Sequence, residues 1–215
     1  MNDILHKISI YFSNNLDQYL LAVREHITLS LTALCLSILI GVPLGIVCVI
    51  YKGQQKWVVG FFQILRIIPS LAVLIMLIPI MGIGERPAIT ALVLLAVPPV
   101  LMNTVAGLEE VPFFMLETAE GMGMSALQIW IKVRLPLALP LMLAGVKIAM
   151  IEIIASATIA AYIGAGGLGQ IIFTGLGLNR ADLLLVGGIS VAALSIAAGL
   201  LMDLMDRVFL RHKYI

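Results

Sequence analysis

The stretch Val111-Pro112-Phe-Phe-Met-Leu-Glu117-Thr-Ala119-Glu120-Gly121-Met-Gly123-Met-Ser125-Ala-Leu-Gln128-Ile-Trp-Ile-Lys132-Val-Arg134-Leu135-Pro136 is the longest interruption in an otherwise membrane-like chain. Its local chemistry describes two short helices. Pro112 suits a first helical position, where its missing amide hydrogen is not needed, and Glu117 and Glu120 keep the segment polar enough to leave a bilayer. Gly121 and Gly123 can stop that helix by taking left-handed dihedrals that other residues resist. Ser125 followed three residues later by Gln128 makes a capping box, in which each side chain satisfies a backbone amide at the start of the second helix. Lys132 and Arg134 place positive charge in the last turn, and Pro136 ends it. The expected product is a helix, turn, helix knuckle of the kind that contacts another protein.

Outward from this stretch the chain is apolar. Of 215 residues, 61% are hydrophobic and 12% charged, against roughly a quarter charged in soluble domains. A net charge of +1 is too small to argue for nucleic acid. Cys35 and Cys48 lie on one apolar stretch, about 20 Å apart along a helix, and cannot bridge each other. The first 26 residues hold Asp3, His6, Lys7, Asp17, Arg24 and Glu25 without a continuous apolar core, so no cleavable signal peptide is expected and the first span itself directs insertion.

Residues 1–26 read as an interfacial segment, with Ile4, Leu5, Ile8, Tyr11, Phe12 and Leu16 at helical spacing. Ile27 to Ile50 is long enough to cross a core of roughly 30 Å, and Gly41-Val42-Pro43-Leu44-Gly45 inside it predicts a kink. Tyr51 to Lys56 is a short polar turn. A second span from Trp57 to Met81 is broken at Arg66 and at Ile68-Pro69-Ser70-Leu71-Ala72, either as one broken helix or as two half helices. Gly82 to Arg86 is a tight turn. A third span runs from Pro87 to about Leu108, a fourth from about Leu137 to Ile163, and a fifth from about Leu183 to Met205. The fourth ends in Ala161-Tyr162-Ile163-Gly164-Ala165-Gly166-Gly167-Leu168-Gly169. Its glycines match a dinucleotide-binding spacing, but no strand precedes them and no βαβ unit surrounds them, so they serve a sharp turn and close packing.

Three of these stretches resemble the permease subunits of ABC importers. Glu117-Thr118-Ala119, then Gly123, then Val133-Arg134-Leu135-Pro136 is similar to the family's EAA loop, with Thr118 and Val133 as conservative departures. Ile68-Pro69-Ser70-Leu71-Ala72 and the run ending at Gly169 resemble the subgroup that imports osmoprotectants such as glycine betaine, carnitine and choline. The resemblance covers about Ile27 to Val208. It implies an all-α, polytopic membrane protein with the MetI-like core of five transmembrane helices, a transmembrane permease domain over 27–208 and a cytoplasmic tail over 209–215. It also implies coupling helices within 111–136 that dock on an ATPase, and transport by alternating access. Glu117, Ala119, Gly121, Gly123, Leu135 and Pro136 then fall at the coupling loop, and Pro69, Ser70, Gly164, Gly166 and Gly167 become gate candidates. The partners implied are two ATPase subunits, a second permease subunit, identical or related, an extracellular substrate-binding protein and membrane lipid. No cofactor is expected on this chain, because it has no phosphate-binding loop; ATP and magnesium belong to the partner. Importers of methionine or of ergothioneine are the alternatives for substrate. An ion-coupled secondary transporter is the alternative of a different class, although no internal repeat is visible.

Arg66, Lys147 and Glu152 fall within apparent spans, where an unpaired charge costs at least a few kcal/mol. Lys147 and Glu152 stand about 140° apart around a helix and do not pair with each other. An interhelical pair of Arg66 with Glu152 is the expectation, with a direct translocation role for both as the alternative, and Lys147 is expected to snorkel towards the knuckle. His6, His26 and His212 lie at span edges or termini, without an enzyme-like constellation. Placing the knuckle and the C-terminus in the cytoplasm puts Lys52, Lys56, Lys132, Arg134, Arg207, Arg211 and Lys213 inside, and leaves Lys7, Arg24, Arg86 and Arg180 outside with the N-terminus. That bias favours an orientation suited to an ATPase contact.

Overall fold

The computed structural model describes residues 2–209, and no strand occurs among them. The helices are α1 (Asn2–Ile50), α2 (Lys52–Leu65), α3 (Ser70–Met81), α4 (Glu85–Glu109), α5 (Phe113–Gly121), α6 (Ala126–Ile129), α7 (Leu135–Ala160), α8 (Leu168–Gly177) and α9 (Ala181–Phe209). A π-helical turn, Trp130–Arg134, joins α6 to α7, and a 3-10 turn, Ala161–Ile163, ends α7. Among the described residues, four helical stretches are long and apolar enough to span a membrane: Ile4–Ile50, Glu85–Glu109, Ala126–Ile163 and Ala181–Arg207. The pair α2 and α3, bent by 95° at its break, supplies a fifth as a broken span.

The centre is built from small residues on α4 and α7. Ala88, Ala91, Ala96 and Val100 of α4 are fully buried against Ala149, Ile154 and Ala157 of α7. Lipid offers apolar groups no less favourable than Leu, so close backbone approach and packing must hold such helices together. A Cβ added at Gly145 of α7 would fall 2.5 Å from Asn103 Cβ of α4, closer than any side chain tolerates. α1 approaches α4 in the same way, through Gly45, whose added Cβ would lie 2.7 Å from Thr104 Cβ. The Gly41 to Gly45 stretch thus works as a packing notch. α1 remains helical through Pro43, and its departure from helical dihedrals is at Asn15 (φ −130°, ψ 25°). There the Asn15 side-chain amide donates to the Tyr11 carbonyl at 3.2 Å.

Three sequence expectations are corrected. The segment 1–26 is not set apart from the first span: α1 is helical on both sides of residue 26, and Ala22 and Tyr19 pack with α8 and α9 around Leu168, Ile171 and Leu183. The polar turn at Tyr51 to Lys56 shrinks to Tyr51 itself (φ −105°, ψ 69°), since α2 starts at Lys52. Pro136 does not end a helix but stands in the first turn of α7. α8 occupies a stretch to which the sequence assigns no element, and forms a hairpin with α9 in which an added Cβ at Gly187 would meet Ile172 at 2.4 Å. Arg211, His212 and Lys213, and with them residues 210–215 of the expected tail, lie outside the described residues.

Candidate coupling knuckle and translocation cleft

The knuckle forms because its caps are complete. Pro112 (φ −59°, ψ 131°) caps α5 from outside, one position earlier than a first helical residue. At the other end Gly123 takes a left-handed φ of 81°. Its N–H donates to the Glu120 carbonyl at 2.8 Å, and the Met124 N–H donates to the Ala119 carbonyl at 3.1 Å. Both bonds satisfy carbonyls that the helix end would leave open. Gly121, expected to share this left-handed role, is instead the last residue of α5 and is not left-handed. The capping box is formed: the Ser125 N–H donates to Gln128 Oε1 at 2.8 Å, and the Gln128 N–H donates to Ser125 Oγ at 3.4 Å.

From α6 the chain enters the π turn rather than a loop. The wider turn carries the backbone past the carbonyl that the Pro136 ring would strike in a regular helix, so Pro136 is tolerated. Arg134 then lies 4.6 Å from the centroid of the Trp130 ring, and its Nε donates to the Leu108 carbonyl at 3.2 Å. A cation on the last carbonyls of α4 is favoured by the helix dipole, and it fixes the knuckle to the body. Leu135 is half-buried in the cluster around Leu101, Leu108 and Met142, while Pro136 is exposed.

What the knuckle presents is apolar and acidic. Phe113 and Met122 are 72% and 71% exposed, and Phe114 and Leu127 are nearly as open. Glu117, Glu120 and Gly123 are exposed among them. Ala119, expected at the contact, is 2% exposed, on the side of α5 turned towards α6 and the π turn. Contiguous exposed apolar side chains rimmed by charge mark an interaction site.

A second constellation gathers at the break of the bent pair. Pro69 (φ −58°, ψ 137°) caps α3, and its carbonyl accepts from the Ala72 N–H at 2.9 Å. Arg66, on the α2 side of the break, donates from Nη2 to Glu152 Oε1 of α7 at 3.2 Å. Both side chains are half-exposed. They line an open cleft of about 260 Å³ with Pro69, Ser70, Leu95 and Ser156. Lys147, on a different face of α7, pairs with Asp203 of α9. That partner was missed in the sequence because the two residues lie on separate spans, and a charge in the last turns of an apolar run resembles a solvated end.

The end of the body opposite the knuckle carries the glycine turn. Gly164, Gly166 and Gly167 have φ of 82°, 82° and 79°. The Glu25 carboxylate accepts from the Gly167 N–H at 2.8 Å, and His26, fully buried, sets Nε2 3.1 Å from the Ile154 carbonyl oxygen. His26 is therefore a core residue rather than one at a span edge. The Gly84 N–H donates to the Ile163 carbonyl at 2.8 Å, so the turn before α4 and the turn after α7 are tied together.

Residues 33–212 match the family described as binding-protein-dependent transport system inner membrane component. The carnitine transport permease protein OpuCB of Listeria monocytogenes is 39% identical over 88% of this chain and 87% of its own length. The choline transport system permease protein OpuBB of Bacillus subtilis is 37% identical over 94% of both chains. A solved inward-facing structure of the MetNI methionine ABC transporter superposes with a TM-score of 0.80 at 25% identity, covering 89% of this chain and 95% of that one.

Proposed function

Since this chain belongs to the family of binding-protein-dependent transport system inner membrane components, we propose that it is the permease subunit of an ABC importer for quaternary-amine osmoprotectants of the glycine betaine, carnitine and choline class. It is a multi-pass membrane protein and a transport component rather than an enzyme. ATPase and binding-protein partners follow from the family. The observation that carries the reading is the knuckle itself: capped at both helices, bolted to α4 through Arg134, and open in apolar and acidic side chains at one end of the spanning body.

The assembly is two copies of this chain, or this chain with a related one, over two ATPase subunits, with an extracellular binding protein on the opposite side. This chain holds no nucleotide; ATP and magnesium are used by the partner. The knuckle and the C-terminus face the cytoplasm and the N-terminus faces outside, in keeping with the charge bias. ATP binding draws the ATPase pair together, the knuckles follow, and the spans reorient. Glu117 and Gly123 meet the ATPase directly, while Ala119, Gly121, Leu135 and Pro136 shape and seat the surface. Pro69, Ser70, Gly164, Gly166 and Gly167 stand at the two places where the helices break. The greater identity with carnitine and choline permeases favours that substrate class over methionine.

The test is purification of the tagged chain in mild detergent with whatever accompanies it. A phosphate-loop ATPase is expected to accompany it. Glu117→Lys is expected to leave the chain in the membrane and uncouple ATP hydrolysis from uptake; unchanged uptake would remove the docking assignment.

A further inference from the structure

The pair of Arg66 and Glu152 has features that a structural strut does not require. A charge at membrane depth is tolerated where it is paired or faces water, and these two are paired yet remain half-exposed to one open cleft. The cleft has two hydroxyls, Ser70 and Ser156, neither of which has a hydrogen-bond partner in the described structure. The rest of its wall, Ile67, Ile68, Pro69 and Leu95, is apolar. Its volume of about 260 Å³ lies just below the roughly 300–1,000 Å³ of pockets for drug-sized ligands, as suits a smaller molecule. A positive and a negative group 3.2 Å apart beside an apolar wall are the complement of a small zwitterion with methyl groups.

We propose that Arg66 and Glu152 form a transient site for a zwitterionic quaternary amine on its way through the membrane. The Arg66 guanidinium takes the substrate carboxylate and Glu152 takes the ammonium, so the substrate parts the pair and replaces each partner. This rests on the reading of the chain as a quaternary-amine importer. Charge balance favours the arrangement: empty, the two groups neutralise each other; occupied, the substrate neutralises both. No step leaves a lone charge at membrane depth, which would be costly. Among the described residues no aromatic ring lines the cleft, so they form no cage of the kind that holds such cations tightly. Weak holding suits a site that must also release. Choline, a cation without a carboxylate, satisfies Glu152 alone and leaves Arg66 without an anion.

The experiment measures uptake rates of labelled glycine betaine and labelled choline in cells carrying the whole importer, with the chain at matched membrane levels. Arg66→Gln is expected to lower the ratio of betaine to choline uptake by about tenfold, the effect of one charged contact. Arg66→Lys keeps the ion pair but loses the planar fork that matches a carboxylate, and is expected to lower the ratio several-fold. If Arg66→Gln does not reach the membrane, the lysine variant carries the test alone. Loss of both substrates by the same factor would overturn the proposal and make the pair a strut. An unaltered importer that moves neither substrate would instead overturn the quaternary-amine reading, and the site with it.

Discussion

Gly123 shows how much one dihedral angle can carry. Its φ of 81° costs a residue with a Cβ roughly 1–2 kcal/mol, and two hydrogen bonds that close α5 depend on it. Gly123→Val is therefore expected to raise amide exchange at Gly123 and Met124 about tenfold, read by hydrogen exchange on the purified complex; unchanged exchange would mean that the turn does not need a left-handed residue. This position was legible, because a glycine after a helical run and before a capping box has one natural place. The Arg66 and Glu152 pair was legible for a similar reason: two opposite charges in apolar runs have few other ways to be satisfied. Ala119 and His26 were not. An alanine next to an exposed glutamate carries no mark of which way it faces, and a histidine at the edge of an apolar run gives no sign that the helix continues on both sides of it.

At the scale of the element, what escaped the sequence were continuities. α1 continues through the boundary at residue 26, and α7 continues upstream of Pro136 into the knuckle. Polar residues and a proline read as stops, yet each is accommodated: the apolar residues between the polar ones of α1 pack on α8 and α9, and the proline follows a π turn. α8, with 10 residues, is too short to be read as a span and too apolar to resemble a loop. The long runs and the break at Pro69 were plain, since proline at a helix start and twenty apolar residues both have direct physical meaning. Gly45 belongs to this scale because what it permits is the contact of two helices. Gly45→Leu is expected to lower the thermal unfolding midpoint in detergent by several degrees through overpacking. Gly60→Leu on α2, where an added Cβ meets nothing within 4 Å, is expected to leave it near that of the unaltered chain. Equal midpoints would mean α1 can retreat from α4 without loss.

The whole molecule has two differently tied ends. At one, the Glu25 carboxylate and the bond from Gly84 to Ile163 hold α1, the start of α4 and the end of α7 together. At the other, the knuckle hangs from α4 and α7. Which end faces the cytoplasm is read from the basic residues, and a fluorescent protein that matures only in the cytoplasm tests it. Fused at the C-terminus it is expected to fluoresce, and fused at the N-terminus to stay dark; the reverse pattern would separate the knuckle from any cytoplasmic ATPase.

The π turn at Trp130–Arg134 makes the knuckle and α7 a single shaft with one surplus residue wound into it. Removing that residue would restore an ordinary helix and turn one end against the other by about 100°. The angular phase between the exposed face of α6 and Glu152 is thus stored in a single residue of winding, and any rotation imposed at the knuckle would have to pass through this turn to reach the cleft.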